Sequence, residues 1–241
     1  MRISLLLCIC MLACFVPANA SLILNGSFES PVVGGGTFTS YPPGLPAPGN
    51  ASGITDWSVV GAAGTEVSIV NGTYTKECCI FAAEDGVQWL DLTGFQTNQF
   101  EGVAQTVPTT NGTTYDLSFW VGNVSDPTGV FGTTSTVQLQ INSIAVGSFT
   151  NSSSTPPAPG LPQPMNWMQF MTTFTAGAGT STTVGFFNLD PPTDNNNGLD
   201  NIVLTAEPIP EPGTLTLLGL GIIGLGLTRR LAKFSFHLPT R

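Results

Sequence analysis

The sequence has 241 residues and a mass of 25.1 kDa, which is enough for one large all-β domain or two small ones. Charged residues make up only 9% of it, and it contains 28 glycines and 19 prolines, so short strands and turns are favoured over long helices with ion-paired surfaces. The formal net charge is −9, from 6 basic and 15 acidic residues. A chain of this sign lacks the basic surface that holds a phosphate backbone, and we expect no nucleic acid partner.

The basic residues lie almost entirely at the two ends of the chain. Lys76 is the only base within residues 21–210, and the single histidine, His237, lies in the C-terminal tail. The central region therefore has no imidazole for general base catalysis, for a nucleophilic triad or for zinc. Glu84 and Asp85 are adjacent and would point to opposite faces of a strand, unlike the carboxylate pair of a glycosidase. We expect that the protein is not an enzyme.

Residues 1–20 have the three parts of a secretory signal peptide. Arg2 is followed by an apolar run from Ile3 to Val16 and then by the small residues Ala18 and Ala20. We expect cleavage after Ala20. An uncleaved anchor and a lipoprotein signal that ends at Cys14 are the alternatives.

The C-terminal end carries a second targeting pattern. The motif Pro210-Glu211-Pro212 precedes an apolar run from Leu215 to Leu227, and Arg229 and Arg230 follow it. The run is shorter than the roughly 20 residues of a stable transmembrane helix, and the basic pair favours the cytoplasm for its far end. This pattern resembles the PEP-CTERM sorting signal of Gram-negative bacteria. The resemblance implies processing by an exosortase-type membrane protease, transient anchoring in the inner membrane, and release to the cell envelope or an exopolysaccharide matrix.

The two ends divide the chain into four predicted parts. These are the signal peptide (1–20), a β-sandwich module (21–206), a sorting signal (207–231) with a short apolar helix (215–227), and a cytoplasmic basic tail (232–241).

Residues 21–206 alternate apolar and polar side chains over short stretches, which is the period of half-buried strands. The clearest stretch runs from Thr113 to Val121 and follows the turn signal Asn111-Gly112. Further strands are predicted over 54–60, 65–70, 87–92, 102–107, 136–141, 144–149, 168–174, 182–189 and 201–205. Residues 31–53 and 151–164 are rich in proline, glycine and serine and are predicted to be long surface loops. The pattern favours an all-β sandwich.

Five short segments of this module resemble, in order, those of the galactose-binding-like jelly-roll carbohydrate-binding modules. They are Leu24–Glu29, Trp57, Ala104–Val107, Tyr115–Trp120 and Leu199–Ile202. The resemblance implies a jelly-roll sandwich whose first and last strands lie side by side, and a structural calcium ion held by Glu29 and Asp200. The oxygen-rich segment from Asp190 to Asp200 also suits a hard cation, and a solvated turn is the alternative for this segment.

Sugar recognition requires flat aromatic faces together with amide or carboxylate groups for the hydroxyls. The strand faces turned away from the predicted core offer such groups, and a loop offers one more aromatic ring. We expect a glycan-binding patch among Trp120, Gln138, Gln140, Trp167, Gln169 and Trp57. The alternative is that the tryptophans are buried and that the polar strand faces are merely solvated.

Cys78 and Cys79 are the only cysteines of the predicted mature chain. In an oxidising compartment a vicinal disulfide, a bond to another molecule and two buried thiols all remain open. The sequence as a whole predicts an exported, non-enzymatic protein with weak glycan binding. The alternatives are a structural matrix or biofilm protein without a saccharide pocket and a secreted glycan-active hydrolase.

Overall fold

The structure is a computed structural model that describes residues 20–44, 53–95, 98–127 and 129–207, together with Gly221. Most of the predicted signal peptide, the sorting motif, its apolar helix except Gly221, and the basic tail lie outside the described residues. In the part of the chain that is described, no helix has the length and apolarity needed to cross a membrane. The strands all belong to one compact unit that ends at Ala206.

Within the described residues, fourteen strands form two large sheets and one small sheet. They are β1 (Phe38–Tyr41), β2 (Ser58–Val60), β3 (Val67–Asn71), β4 (Thr75–Lys76), β5 (Cys79–Ile80), β6 (Gln88–Asp91), β7 (Gly102–Pro108), β8 (Thr114–Asn123), β9 (Ser135–Ile141), β10 (Ile144–Asn151), β11 (Gln163–Pro164), β12 (Asn166–Thr175), β13 (Ser181–Asn188) and β14 (Gly198–Ala206). The strand orders are β1-β3-β6-β14-β8-β12, β10-β9-β13-β7-β2 and β11-β5-β4. This arrangement confirms the predicted jelly-roll β-sandwich.

The main core lies between the two large sheets and is built by alternation along the strands. In β8, the side chains of Leu117, Phe119 and Val121 are buried, whereas Ser118 and Trp120 are half-buried on the opposite face. Aromatic rings from both sheets meet in this core, and Phe119 and Phe186 pack edge-to-face with ring centroids 5.0 Å apart. The apolar side chains whose alternation predicted the strands are therefore the ones that fill the core.

Each of the ten predicted strands overlaps an observed one, but two of the observed strands lie in predicted loops. β1 lies within the proline-rich residues 31–53, and β11 lies at the end of residues 151–164. Both strands are at the edge of their sheets. An edge strand makes ladder hydrogen bonds on one side only, so a proline in it or next to it can be accommodated without the loss of such a bond. The proline-based loop prediction was wrong for these two short strands.

The N-terminal segment of the module lies beside the last strand, as the resemblance implied. Leu22 N donates to Leu204 O at 2.8 Å, and Ile202 N donates to Gly26 O at 3.0 Å. Gly26 is placed so close to the backbone of Ile202 that a side chain would collide with its carbonyl oxygen. The segments Leu24–Glu29 and Leu199–Ile202 are thereby joined.

The outer face of the six-stranded sheet is covered as well, by a second apolar cluster. Its buried members are Val70, Cys79, Phe81, Trp89, Val124, Phe131 and Met165. The small sheet β11-β5-β4 supplies part of the cover, and Trp167 packs against the cluster from β12. The six-stranded sheet is consequently covered by apolar side chains on both of its faces around Val70 and Trp89.

Two glycines create the space for the largest ring of this cover. Gly122 and Gly198 are register partners in β8 and β14, and the ring of Trp167 lies across them. A Cβ on Gly122 would be 2.7 Å from Trp167 Cζ3, and one on Gly198 would be 3.0 Å from Cη2. The ring thereby reaches Trp89 edge-to-face, with centroids 5.9 Å apart, and its Nε1 donates to Ala82 O at 2.9 Å.

We expect Gly122→Ala to lower the free energy of unfolding by about 1–3 kcal/mol, because the new methyl group would collide with Met165 Cε and with the Trp167 ring, and both side chains would have to move. Thermal or urea unfolding measures this change. Gly177→Ala is the matched control, since nothing lies within 4 Å of a Cβ at Gly177. Equal stability of the two variants would contradict the close approach of Trp167.

Candidate functional site

A cavity of about 250 Å³ opens on the outer face of the six-stranded sheet, and we call it the aromatic cavity. Six aromatic side chains line it: Phe38, Tyr74, Phe81, Trp89, Phe95 and Phe131. Ser68, Lys76, Asp91 and Asn195 supply polar groups to its wall. An apolar pocket with a few polar groups is the usual form of a small-molecule site.

The floor of the aromatic cavity is set by strand register. Phe38 in β1, Val70 in β3 and Trp89 in β6 lie side by side in one row across the sheet. The next row on the same face, two residues along each strand, places Ser68 beside Asp91. Residues of one row point to the same side of a sheet, so the floor combines an aromatic ring with a carboxyl group.

The walls of the aromatic cavity come from short strands and turns that sequence analysis left unassigned. Tyr74 and Phe81 flank the small strands β4 and β5, and Phe131 packs edge-to-face on Phe81 with centroids 5.0 Å apart. Phe95 rests on Phe38 with centroids 5.7 Å apart. The available signal was indirect: Trp89 and Leu90 are adjacent, so each face of this strand carries a large apolar side chain, which indicates a strand covered on both faces.

Asp91 is the ionisable group of the cavity floor. Its Oδ1 accepts hydrogen bonds from Thr93 N at 3.0 Å, Thr93 Oγ1 at 2.8 Å and Asn197 N at 3.2 Å. Burial raises the pKa of the Asp91 carboxyl to about 7, and these three donors oppose the rise. A carboxyl group of this kind inside an apolar pocket is a frequent mark of a functional site.

The residues of the predicted glycan patch are divided between the two faces of the sandwich. Trp120 and Gln169 are register partners on the outer face of the six-stranded sheet, and Trp167 lies on the same face. Gln138 and Gln140 belong to β9 in the other sheet and hydrogen-bond to each other at 2.8 Å. The six residues therefore do not form one patch.

Trp57 is the sixth residue of that predicted patch, and it is a core residue. Its side chain is fully buried, and its ring packs against Phe28 and Phe186. Nε1 donates to Asn25 O at 3.0 Å, so the polar end of the ring is also satisfied internally. No face of this ring is available to a sugar.

The predicted calcium pair, Glu29 and Asp200, lies against opposite ends of the segment 84–88. Glu29 Oε1 accepts from the backbone N–H groups of Val87 at 2.8 Å and Gln88 at 3.0 Å. Asp200 Oδ2 accepts from the N–H groups of residues 84 and 85, and its Oδ1 accepts from that of residue 201. Three of the four carboxylate oxygens thus face backbone donors, whose positive ends repel a cation. The pair does not fit a calcium centre, which needs six to eight oxygen ligands.

A second group of acids is buried next to the cavity floor, and we call it the acidic cluster. It contains Asp91, Glu101, Asp190 and Asp194, all of them buried. Burial raises the pKa of Glu101 and Asp194 to about 7 and that of Asp190 to about 8. Repulsion from Asp194 and Asp91 adds to the rise at Asp190.

Cys78 and Cys79 form a vicinal disulfide in the turn that leads into β5. This selects one of the three alternatives left open by the sequence. Their sulfurs and a carboxylate oxygen of Asp126 lie within 4.8 Å of one another. Because thiolates are the metal-binding form of cysteine, the disulfide form offers no sulfur ligand for a metal there.

The fold and the cavity define a class of protein: a jelly-roll β-sandwich module with a ring-sized aromatic pocket on one sheet. The family model described as HpiC1 cyclase matches residues 19–205, and the chain belongs to this HpiC1-like family. The PEP-CTERM protein-sorting motif matches residues 208–230, which confirms the predicted sorting signal.

Solved structures are similar to this chain at low sequence identity. The Stig cyclase Fisc from Fischerella sp. TAU, in complex with (3Z)-3-(1-methyl-2-pyrrolidinylidene)-3H-indole, is 18% identical over 78% of this chain and 98% of that chain, with a TM-score of 0.45. A family 16 carbohydrate-binding module is 23% identical over 59% of this chain and 86% of its own, with a TM-score of 0.37. The CBM22-1 xylan-binding domain of Paenibacillus barcinonensis Xyn10C is 14% identical over 72% of this chain and 97% of that chain, with a TM-score of 0.36. A search of curated proteins found no match.

Proposed function

We propose that the protein is exported, processed at its sorting motif by an exosortase-type membrane protease, and displayed in the cell envelope or exopolysaccharide matrix of a Gram-negative bacterium. There its β-sandwich binds a glycan without chemical turnover. The sorting motif at residues 208–230 supports the export and processing steps. In this proposal the signal peptide is removed after Ala20, and the apolar helix 215–227 holds the chain in the inner membrane until it is cut.

The observation that carries the binding function is the aromatic cavity. A sugar ring has an apolar face, formed by its C–H groups, that packs on the flat face of an aromatic side chain. Its hydroxyl groups need polar partners around the edge, and Lys76, Asp91 and Asn195 are such partners in the cavity wall. About 250 Å³ is room for a single ring, so the ligand would be one residue of a chain or one branch.

The cavity suits this role better than the predicted patch of tryptophans and glutamines. Trp57 is buried, and Gln138 and Gln140 lie on the sheet opposite Trp120. The pair Trp120 and Gln169 remains on the same outer face as the cavity. We propose that this pair contacts neighbouring sugars of a longer chain. Binding at a single wet site of this kind is weak, and the display of many copies raises the overall strength.

We expect Phe95→Ala to weaken binding to the producer's own polysaccharide by about 2- to 10-fold, the value of one lost stacking contact. Retardation in affinity electrophoresis measures this effect. Phe95 is 53% exposed, so its truncation spares the core.

Phe100→Ala is the matched control for the binding experiment. Phe100 is 46% exposed and stacks on Phe187 with centroids 4.8 Å apart, away from the cavity lining. Retardation that survives Phe95→Ala but disappears with Trp120→Ala would move the site out of the cavity. Absence of any retardation of the native protein would favour the structural matrix protein.

Replacement of Pro210, Glu211 and Pro212 by alanine is expected to block the sorting step, because the protease would no longer recognise the chain. Mass spectrometry of the native protein should find a chain that begins at Ser21 and ends near the motif, whereas the variant should keep its basic tail and stay in the membrane fraction. Pro239→Ala, outside the motif at residues 208–230, is the control. Identical masses for the native protein and the triple variant would contradict the proposal.

A second candidate function is binding or conversion of a small aromatic molecule in the same cavity. Two observations favour it: the lining is mostly aromatic, and the chain belongs to a family described as a cyclase. An indole-sized ring would stack on the cavity aromatics in the same way as a sugar face.

Titration of the protein with indole, followed by nuclear magnetic resonance, separates the two candidates. For the second function we expect saturable binding that weakens about 2- to 10-fold in Phe95→Ala and is unchanged in Phe100→Ala. Indole binding without retardation by polysaccharide would select the second function, and the reverse result would reject it.

A further inference from the structure

We propose that two copies of the protein associate through strand β12, which pairs with its own copy in antiparallel fashion about a two-fold axis near Met171. The pairing would join two six-stranded sheets into one continuous sheet. This inference goes beyond glycan binding, because it concerns a contact between protein copies and involves no ligand.

The edge strands of the two large sheets are β1, β2, β10 and β12. An edge strand exposes backbone N–H and C=O groups, and proteins usually protect it from other chains by shortness, proline, charge or a bulge. β1 has four residues and is followed by Pro42 and Pro43, β2 has three residues, and β10 carries a bulge between Ala145 and Gly147. Three of these edges are therefore protected.

Strand β12 has none of these protections. It runs over ten residues, Asn166–Thr175, without a proline or a charged side chain. All ten pair with β8 in one unbroken register, from Asn166 opposite Asn123 to Thr175 opposite Thr114. Among the described residues, no strand pairs with the other side of β12. About half of its backbone N–H and C=O groups point to that side, where another strand can bind them.

The charge distribution selects a second copy as the partner. Residues 127–189, which include strands β9 to β13, contain no charged side chain, although the chain carries a formal net charge of −9. Acidic proteins repel one another, so two copies approach most easily through this uncharged region. Asp116 of β8 is the register partner of Thr173 and lies one strand back from the edge. A basic partner would therefore find no acid on β12 itself.

Two-fold symmetry gives a second reason for self-pairing. Near the axis of such a pair each side chain faces its own copy, so a charged residue there would meet a like charge. Met171 lies in the middle of β12 and is 73% exposed. An axis at Met171 would set the two methionine side chains against each other and would place Gln169 opposite Thr173. None of these side chains is charged.

The inner side of the same edge is only partly covered. Phe170 and Phe174 of β12 are half-buried against the main core, and Phe170 packs on Phe149 of β10 with ring centroids 5.4 Å apart. A second copy would cover the exposed parts of the β12 rings. A ten-residue antiparallel pair also supplies about ten backbone hydrogen bonds, as many as a typical interface. Its contact area is small, so the dimer should depend on protein concentration.

The test measures the mass of the purified exported protein by light scattering over a range of concentrations. We expect a monomer that converts to a dimer as the concentration rises. Met171→Glu should raise the dissociation constant at least about tenfold, because two like charges would meet at the axis. Ile144→Glu is the matched control, since Ile144 is 69% exposed in β10 and the change of charge is the same. It should dimerise like the native protein.

Hydrogen exchange of the native protein at low and high concentration tests the backbone contact without a variant. Amides of β12 that exchange fast in the dilute protein should become protected at high concentration. Protection that is complete in the dilute protein would overturn the proposal in favour of another segment of the chain on this edge. Protection that requires added polysaccharide would overturn it in favour of the glycan.

Three results of the mass measurement would also overturn the proposal. They are a monomer at every concentration, a dimer that Met171→Glu leaves intact, and equal weakening of the dimer by Met171→Glu and Ile144→Glu.

Discussion

Burial of both faces of the six-stranded sheet is the constraint on which the rest of the structure depends. The inner face meets the other large sheet, as in any sandwich. The outer face is covered by the small sheet β11-β5-β4 and by the Trp167 ring, which lies on Gly122 and Gly198. Because this cover is incomplete over strands β1, β3 and β6, it leaves the aromatic cavity between its parts. The aromatic cavity is thus a gap in the second apolar cluster, which covers the outer face of the sheet.

The fold was predictable because its strands obey a simple alternation. Residues 113–121 place aromatic and aliphatic side chains at every second position, and the structure buries those positions in β8. The N-terminal and C-terminal segments of the resemblance also meet as implied, through the hydrogen bond between Ile202 and Gly26. Local periodicity and short motifs suffice for such features, since each strand carries its own pattern.

The candidate site was not predictable in the same way. Its walls use Tyr74, Phe81 and Phe131, which lie next to two-residue strands or in turns where no period exists. The residues of the predicted glycan patch do not lie together. Alternation along a strand predicts which side chains point outward, but it does not predict to which sheet the strand belongs. Gln138 and Trp120 each lie on an outward face, but on different sheets.

One segment of the chain, residues 195–197, contacts both the aromatic cavity and the acidic cluster. Asn195 lines the cavity and holds Val130 O with both its backbone N–H, at 2.9 Å, and its Nδ2, at 3.0 Å. The next two residues, Asn196 and Asn197, donate through their Nδ2 atoms to Ser135 Oγ and Thr136 O at the start of β9. Lys76 is the only base within residues 21–210, and its Nζ lies 3.7 Å from Glu77 Oε1. Hydrogen bonds from Asn196 N to Asp194 Oδ1 and from Asn197 N to Asp91 Oδ1 therefore link the cavity wall to the acidic cluster.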